Sequence, residues 1–507
     1  MKFIIVGGGT AGWISAFKIK KKVPNSEVTV IESSQIPVIG VGEGVTGQFT
    51  DILNDPALGL DEFEFLQKTW ALPKHGILFS GWNADTSKEF YSPIEGSVTE
   101  AVPYDVFVYN SLLNNDNVAY SSISGFYYEE KKVPWFVKDG QLHFVGGRAY
   151  HIDAYKVGEF FKEKSISAGV THIDAKITDV RVEENKIKSI VLDNQSELTS
   201  DMFIDCSGFS KILMSKLDNE WIDRSEHLPV NNAVIFKPIN YSDTKTPYTS
   251  AKAKKNGWIF EIPTRNKIGR GYIYCDKFAS EENIVDEIKE EYGEIEIINR
   301  IAFSAGTYKN SWVSNCVVLG LASGFLEPLQ ATSLHITLCQ LEKLVRDVFC
   351  IDNVDISDKF ILDDFNSYGS MLTSDMLDFV QVTYTGGRED TEFWKYMTHS
   401  AKKTEEVEKI IHLAKTRLLR LQDFRSYDGY AGQALWIYIL AGLGHFDKAV
   451  IRKVLTAANF NLESINFDYQ VFKEQMKTSM SNKLTCDQLN DILLKGEELQ
   501  LSLNKIY

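Results

Sequence analysis

An α/β fold that begins with parallel strands is predicted by the first 32 residues of the chain. Residues 1–6 (MKFIIV) are a β-branched, apolar run without a turn residue, which is typical of a buried strand. The glycine-rich loop Gly7–Gly12 follows at once and leads into an apolar-periodic helix. A second apolar strand, 28–31 (VTVI), then ends at Glu32, 25 residues beyond Gly7. Strand, loop, helix, strand and acid in this order predict a Rossmann-like nucleotide-binding unit.

The loop has the spacing GxGxxG, which lets the backbone turn tightly and approach a pyrophosphate at the positive end of the helix. Glu32 can accept a hydrogen bond from a ribose hydroxyl. The alternative is a glycine-rich turn in some other α/β protein. On the nucleotide-binding interpretation, the predicted cofactor contacts in the loop are Gly7, Gly9, Thr10, Ala11 and Gly12.

Composition narrows the class of protein. A chain of 507 residues suggests about two or three domains. With 54 basic and 69 acidic residues the net charge is −15, which argues against a nucleic acid or an anionic membrane as partner. The six cysteines show neither CxxC nor metal-ligand spacing, so we expect buried, reduced thiols and no metal ion. The chain opens on a strand and has no apolar run of membrane-spanning length, so we expect a soluble, cytoplasmic protein; homo-oligomerisation stays open.

The rest of the chain alternates between strand and helix patterns up to about residue 360 and is helical afterwards. We therefore predict a nucleotide-binding domain at 1–360, with an inserted, mostly antiparallel sheet that faces the substrate, and a helical domain at 361–507 packed on it. The predicted strands lie at 72–79, 126–145, 173–192, 198–206, 232–236, 258–262 and 316–321. The predicted helices lie at 51–69, 150–161 with Asp153 as the cap, 281–294 with a solvated charged face, and 334–348.

Three later segments indicate ligand contacts. Gly42 and Glu43 belong to a run in which three glycines surround one carboxylate, which suggests backbone pressed against a ligand. The strand ending at Asp205 is followed by Cys-Ser-Gly, which resembles the second nucleotide-contacting segment of two-segment flavin proteins. Thr332 and Ser333 lie near a helix N-terminus, where free N–H groups favour an anion.

In series, eight motifs resemble those of the flavin-dependent tryptophan halogenases over nearly the whole chain. They are GGGTAGW at Gly7–Trp13, GVGE at Gly40–Glu43, the Lys74 segment, YHIDA at Tyr150–Ala154, FIDCSGF at Phe203–Phe209, GWIFEIP at Gly257–Pro263, GFLEPLQATS at Gly324–Ser333 and GREDTEFW at Gly387–Trp394. The resemblance implies a two-dinucleotide-type flavoprotein that halogenates an electron-rich aromatic carbon.

The same resemblance implies reduced FAD, oxygen and chloride, bromide or iodide as cofactor and co-substrates, with a separate flavin reductase supplying the FADH2. It implies further cofactor contacts at Ile177, Leu321 and Leu334, and a halide held by the backbone N–H groups of Thr332 and Ser333. By spacing alone Lys74 is an ordinary surface lysine. The resemblance instead makes it the residue that guides hypohalous acid, either by donating a hydrogen bond or by forming an N-haloamine.

Two positions depart from the family pattern. The WxWxIP marker of the substrate wall reads here Trp258, Phe260 and Pro263, with Phe in place of the second Trp. Phe keeps an aromatic wall but lacks the indole N–H. Where tryptophan-specific members have the catalytic glutamate of PLES, this chain has Gln330 followed by Ala331. A neutral amide can form hydrogen bonds but cannot act as a base, so the ring proton is left to water or to another weak acceptor.

Because the loop at Gln330 is less acidic and smaller than PLES, nothing visible marks a charged amino acid as the ligand. We therefore expect a neutral aromatic substrate, such as a simple indole or phenol, in preference to free tryptophan. Two other functions stay open. A flavin monooxygenase would form product without halide, and an inactive FAD-binding homologue would bind FAD but give no product with any halide.

Overall fold

The computed structural model describes residues 1–36, 42–94, 104–146, 149–351, 354–424, 432–499 and 503–505. The chain forms two compact units, each of which is discontinuous in sequence. The first unit comprises Met1–Trp70, Ile152–Ser225 and Phe303–Ser374, and the second comprises Ala71–His151, Glu226–Ala302 and Asp375–Tyr507. The domains expected from the sequence, 1–360 and 361–507, are continuous segments, and that division stays a prediction.

The strands are short to medium in length and are numbered in chain order. They are β1 Lys2–Val6, β2 Glu27–Glu32, β3 Glu43–Gly44, β4 Leu72–Lys74, β5 Gly76–Ser80, β6 Glu89–Pro93, β7 Trp135–Lys138, β8 Gln141–Phe144, β9 Ala149–Ile152, β10 Thr171–Asp174, β11 Ile177–Glu183, β12 Lys186–Leu192, β13 Glu197–Leu198, β14 Met202–Asp205, β15 Trp221–Asp223, β16 Asn232–Pro238, β17 Thr249–Ala253, β18 Gly257–Pro263, β19 Ile268–Tyr274, β20 Ile295–Ala302, β21 Gly306–Tyr308, β22 Trp312–Val313, β23 Cys316–Val318, β24 Gly324–Phe325 and β25 Leu503–Lys505.

The helices are numbered in the same way, and α8 continues into a π-helical turn at Val345–Phe349. They are α1 Thr10–Lys22, α2 Gly47–Asn54, α3 Glu62–Thr69, α4 Tyr104–Asn114, α5 Ile123–Glu129, α6 Ala154–Ser167, α7 Glu281–Tyr292, α8 Thr332–Leu344, α9 Lys359–Thr383, α10 Glu392–His399, α11 Glu405–Thr416, α12 Gln433–Gly442, α13 Lys448–Ala457, α14 Leu462–Met480 and α15 Cys486–Leu499. None of the helices within the described residues is long and apolar enough to cross a bilayer.

The first unit is built on a six-stranded sheet in the order β10-β2-β1-β14-β23-β22. All neighbouring strands are parallel except β22, which runs antiparallel to β23. Helix α1 connects β1 to β2 and packs beside α6, which begins after Asp153. The carboxylate of Asp153 accepts the Lys156 N–H, as the sequence predicts for a helix cap. The predicted strand, loop and helix at the start of the chain are thus confirmed.

The second unit is built on a seven-stranded sheet in the order β20-β16-β19-β18-β17-β5-β6. Its neighbours are antiparallel except for the parallel pair β17–β5, which confirms the predicted, mostly antiparallel sheet. Helix α7 covers part of this sheet with Ile284, Ile288 and Tyr292, which pack on a buried aromatic and aliphatic cluster. Most charged side chains of α7 are exposed, as expected. Glu287 and Glu291 are exceptions, because they bond to Tyr272 and Lys252 of the sheet.

Four expectations from the sequence are wrong in detail. Residues 150–152 were expected to be helical, but they lie in β9, and α6 begins at Ala154. Residues 126–145 were expected to be strands, but Ile123–Glu129 is a helix. Its Phe126 and Tyr127 side chains enter a buried cluster with α4 and α14, and this tertiary packing outweighs their strand propensity. A short strand, β25, follows the C-terminal helices. All six cysteines are free, but Cys350 is exposed and not buried.

Asp205 fixes the shape of the loop that follows β14. The side chain is fully buried, and one carboxylate oxygen accepts the Ser207 N–H (3.0 Å) and hydroxyl (2.6 Å). The other accepts the backbone N–H groups of Leu213 (2.8 Å) and Met214 (2.9 Å). Asp205 therefore holds its own loop, a structural task that the sequence pattern does not reveal.

We predict that Asp205→Ala will destabilise the protein by several kcal/mol, because each buried N–H left without an acceptor costs about 1–3 kcal/mol. Asp205→Asn keeps one acceptor oxygen and should cost clearly less. The free energy of unfolding from urea titration checks this order. An alanine variant as stable as the wild type would contradict it.

Candidate active site

The carboxyl ends of three adjacent parallel strands gather the predicted nucleotide-binding loops. Val6, Asp205 and Val318 are in register on β1, β14 and β23. The loops that start at Gly7, at Cys206 and at Leu319 therefore leave the same edge of the sheet. This is the edge at which open α/β sheets bind their ligands.

In the first loop, close backbone neighbours leave no room for a Cβ at Gly7 or Gly12, whereas Gly9 has room for one. Gly7 has φ +112°, and a Cβ there would lie 2.2 Å from the Cys206 carbonyl oxygen. A Cβ on Gly12 would lie 1.9 Å from the Gly7 carbonyl oxygen. A Cβ on Gly9 would meet no atom of the described residues within 4 Å. The loop is thus held tightly at both ends and is open at Gly9, where a ligand can approach the backbone.

The start of α1 suits an anionic group. Gly9 is the N-cap and provides no side-chain cap, and the first turn carries no acidic residue. The Thr10 hydroxyl donates to the Ala154 carbonyl at 3.0 Å, which leaves the backbone N–H groups of the first turn for a ligand. A Cβ on Gly320 would lie 2.9 Å from the Ala11 Cβ, so the segment containing Leu321 lies against this turn.

Glu32 ends β2 as predicted, and its carboxylate has partners that the sequence did not indicate. Its Oε1 lies 2.6 Å from Lys162 Nζ and 3.0 Å from His172 Nε2. The Glu32 carbonyl accepts the Ala175 N–H at 2.8 Å, just before Ile177 begins β11 and packs against the core of this unit. The geometry brings Glu32 and Ile177 to one edge; a ribose contact by Glu32 stays a prediction.

The GVGE motif is described only in its second half, since Gly40 and Val41 lie outside the described residues. Gly42 has φ +106°, a backbone conformation that favours glycine. Glu43 begins β3, which packs against the turn Leu329–Ala331. Burial raises the pKa of the Glu43 carboxyl to about 7 from an ordinary value of 4.5. The predicted contacts Gly42 and Glu43 therefore lie beside the turn that contains Gln330.

The turn before α8 is strained and directs backbone N–H groups toward one side. Gln330 and Ala331 have φ values of +70° and +59°, which are uncommon for residues with a Cβ. Thr332 returns to right-handed geometry, and a left-handed residue followed by a right-handed one turns successive N–H groups into one concavity. The helix has no side-chain cap, so the N–H groups of Thr332 and Ser333 suit a small anion.

Helix α8 is tied to the cofactor edge by one hydrogen bond. The Gly320 N–H donates to the Thr337 hydroxyl at 3.1 Å. The predicted contacts Leu321 and Leu334 therefore lie on segments that are fixed to each other, and Leu334 is buried. The first unit thus contains the predicted cofactor and halide contacts that are described.

In the second unit, Lys74 is buried. Spacing alone would suggest a lysine on the surface. It ends β4, whose register with β9 sets Leu72 opposite His151 and Lys74 opposite Ala149. The side chain is 3% exposed, and no ion pair joins it to a carboxylate of the described residues. Burial lowers the pKa of its ammonium to about 8 from an ordinary value of 10.5. Lys74 is therefore a proton donor that can lose its proton near neutral pH.

Two buried histidines accompany Lys74. His151 is diagonal to Lys74 on one face of the β4–β9 ladder, within reach of a lysine side chain. Its Nε2 lies 2.9 Å from the Thr249 hydroxyl. Burial, then Lys74 and His75, lower the pKa of His151 well below its ordinary value. Neither histidine is predicted as a site residue from the sequence, because an isolated histidine in a strand is usually structural.

The predicted substrate wall is a rigid aromatic face of β18. The rings of Trp258 and Phe260 are 6.2 Å apart, and Trp82 lies 6.1 Å from Trp258. Phe260 is opposite Gly271 in register, where a Cβ would lie 2.5 Å from the Phe260 ring. This glycine gives Phe260 its space. Pro263 ends the strand. A hydrogen bond between its backbone and His151 raises the pKa of that histidine and so opposes part of the lowering by burial.

The strand-edge loops, the open Gly9 and the uncapped helix starts define the first unit as a Rossmann-like, FAD-binding fold of the flavoprotein class. The chain belongs to the tryptophan halogenase family, whose family model, described as tryptophan halogenase, matches residues 2–458. It is therefore an enzyme, a flavin-dependent halogenase, and such halogenases use FADH2, oxygen and halide. In general they act on small aromatic substrates and depend on a separate flavin reductase.

Relatives and solved structures agree with this membership. The chain is 30% identical over 430 residues to tryptophan 7-halogenase RebH of Lentzea aerocolonigenes, and the match covers 78% of each chain. The structure of tryptophan 6-halogenase SttH from Streptomyces toxytricini matches with a TM-score of 0.85 at 25% identity, over 96% of this chain and 98% of that one. BrvH, a flavin-dependent halogenase from Brevundimonas sp. BAL3, matches with a TM-score of 0.83 at 25% identity, over 97% and 99%.

We predict that Gly12→Ala will lower the stability of the protein, whereas Gly9→Ala will weaken its binding of FAD. Gly12→Ala forces a backbone clash and should lower the melting temperature of the FAD-free protein, since overpacking costs about 1–3 kcal/mol. Gly9→Ala should leave that temperature unchanged but weaken FAD binding about tenfold or more, which is 1.4 kcal/mol per factor of ten. Thermal melts and fluorescence titration with FAD measure the two effects. Unchanged FAD affinity in Gly9→Ala would contradict the assignment of the open face.

Proposed function

We propose that this halogenase acts on a neutral, electron-rich aromatic, such as a simple indole or phenol, and that Lys74 guides the hypohalous acid. The observation that carries the proposal is the burial of the Lys74 ammonium without a carboxylate in the described part of the chain. A buried ammonium of this kind has its strongest available partner in a bound acceptor.

The first unit is proposed to bind the cofactor and the halide. The N–H groups at Gly9–Ala11 hold the pyrophosphate, and Glu32 accepts from the ribose. The N–H groups of Thr332 and Ser333 hold the halide. Reduced FAD, when bound, supplies the reducing power by which oxygen and halide become hypohalous acid. A separate flavin reductase is proposed to provide the FADH2, and a cytoplasmic location fits this exchange.

The second unit is proposed to deliver the halogen. The Lys74 ammonium donates a hydrogen bond to the oxygen of hypohalous acid, which makes the halogen more electrophilic and readies hydroxide to leave as water. Trp258, Phe260 and Pro263 form the aromatic wall that the substrate contacts. Because Trp258 and Phe260 are buried against each other and Trp258 also packs on Trp82, the wall is rigid and is proposed to exclude water from the oxidant.

The proposed substrate class follows from the turn at Gln330. The relatives named above as tryptophan halogenases take a substrate with an ammonium and a carboxylate. Here Gln330 and Ala331 are neutral, and the neighbouring Glu43 carboxyl has a pKa raised to about 7, so it provides a weak charge at neutral pH. A neutral ring substrate suits this turn better than a charged amino acid.

We expect kcat/KM for indole or a simple phenol to exceed that for free tryptophan by at least about tenfold, or 1.4 kcal/mol. The test supplies the protein with FAD, a flavin reductase and bromide, and mass spectrometry measures halogenated products from a panel of indoles, phenols and tryptophan. A clear preference for tryptophan would overturn the substrate proposal. Product that carries oxygen and forms without halide would instead indicate a monooxygenase.

Lys74→Ala should lower the halogenation rate by about 10²-fold or more, the usual size of a lost proton-donating group. FAD affinity and the oxidation of FADH2 by oxygen should not change. Lys483→Ala is the matched control, because Lys483 is also a buried lysine of the second unit and its ammonium lies over the Phe136 ring. If Lys74→Ala halogenates at the wild-type rate, the guiding role is wrong.

The pH profile separates the two forms of Lys74. Since burial places the pKa of Lys74 at about 8, the ammonium is lost as pH rises through that value. If Lys74 acts as a hydrogen-bond donor, the halogenation rate should fall above about pH 8, while the rate of FADH2 oxidation should show no such fall. A halogenation rate that increases through the same range would instead support an N-haloamine.

A further inference from the structure

His75 occupies a fixed position between Lys74 and the next strand. It is the one residue that separates β4 from β5, and its side chain is fully buried. The His75 N–H donates to the Pro247 carbonyl at 2.7 Å, and the His75 carbonyl accepts the Ile94 N–H at 3.1 Å. These two backbone bonds fix the main chain from which the imidazole projects.

Neither ring nitrogen of His75 has a hydrogen-bond partner among the described residues. The ring packs at 4.8 Å from the Tyr127 ring instead. Buried polar atoms are almost always hydrogen-bonded, and a missing bond costs about 1–3 kcal/mol. His151, equally buried, has Thr249 as its partner. Two unpartnered nitrogens at His75 therefore point to a bound molecule.

The imidazole of His75 is neutral, and a neutral imidazole offers one lone pair to a proton. Burial lowers the pKa of His75 to about 3, so the ring stays unprotonated until a strong acid reaches it. The titratable groups around it are Lys74 before it, His151 on β9, Tyr127 on α5 and Tyr91 on β6, beside Gly76. Only Lys74 of this set carries a charge near neutral pH. His151 lies between the two groups, since both Lys74 and His75 lower its pKa. His75 is therefore a neutral base in the same buried cluster as the Lys74 ammonium.

We propose that His75 accepts the proton that leaves the aromatic carbon during halogenation. The residue implied for this task by the family resemblance is a glutamate, and this chain has Gln330 at that position. The inference rests on the proposed function, because it assumes that Lys74 brings the hypohalous acid to the ring.

The step balances without another reactant. The ring carbon forms a bond to the halogen, and the O–X bond of hypohalous acid breaks. The leaving hydroxide takes a proton from the Lys74 ammonium and becomes water. The C–H bond then breaks, its electrons restore the aromatic ring, and the proton moves to the free ring nitrogen of His75. His75 finally returns this proton by way of His151, which interacts with both groups, to the Lys74 amine, which is the stronger base.

The experiment compares His75→Gln with the wild type on a substrate deuterated at the reacting carbon. Gln keeps hydrogen-bonding capacity but cannot take the proton, so kcat should fall by about 10²-fold and a primary isotope effect should appear that the wild type lacks. FADH2 oxidation and release of hypobromous acid, measured with a chemical trap, should be unchanged. His143→Gln is the matched control, a buried histidine whose ring stacks on Phe136.

A second variant, His75→Ala, repeats the test without the glutamine side chain, whose own hydrogen bonds could affect the rate. Added imidazole should restore halogenation in His75→Ala and not in Lys74→Ala. A wild-type rate without an isotope effect in His75→Gln would overturn the inference, and so would a lower rate with neither isotope effect nor imidazole rescue. If the wild type forms no halogenated product with any halide, the proposed function fails and the inference with it.

Discussion

Burial of the Lys74 ammonium, which has no carboxylate partner among the described residues, is the constraint on which the proposed chemistry of this protein depends. A buried charge is costly unless something binds it, and here the cost appears as a pKa near 8. The same low-polarity surroundings hold His75 and His151 neutral. The proton of this cluster is thus on Lys74 and the two histidines are free bases, which suits the proposed reaction, in which one proton is given to a leaving group and another is taken from a ring.

The task proposed for the first unit is a different one, the holding of anions by backbone N–H groups. The backbone packs so closely at Gly7 and Gly12 that a Cβ would clash with a carbonyl oxygen. Asp205 holds the neighbouring loop by four hydrogen bonds. Gln330 and Ala331 are held in a strained turn just before α8. Strain of this kind persists only where surrounding structure enforces it, and it is common at functional sites.

Much of the fold could be predicted from the sequence because local patterns and tertiary packing agree there. The first strand, the glycine loop, α1 and the strand ending at Glu32 were predictable from spacing alone. The helix at Ile123–Glu129 was not, because its aromatic residues favour a strand locally and are recruited to a helix by α4 and α14. The eight motifs led to the family, and the family comparison confirms it.

The candidate site was less accessible to sequence reasoning. Lys74 was identified through its motif, whereas its burial depends on strands β4 and β9, which are distant in sequence. The unpartnered ring of His75, the Lys162 partner of Glu32 and the space that Gly271 leaves for Phe260 are all consequences of tertiary contacts. No periodicity or spacing encodes such contacts.

The most direct test of this account is a titration of Lys74 itself. Lysine labelled with carbon-13 next to the amine can be followed by NMR from pH 6 to 11, and the Lys74 signal is assigned by its absence from Lys74→Arg. The account predicts that this signal titrates near pH 8, well below the other lysines. Titration at or above the ordinary value of 10.5 would show that the ammonium is solvated or ion-paired, and would contradict the account.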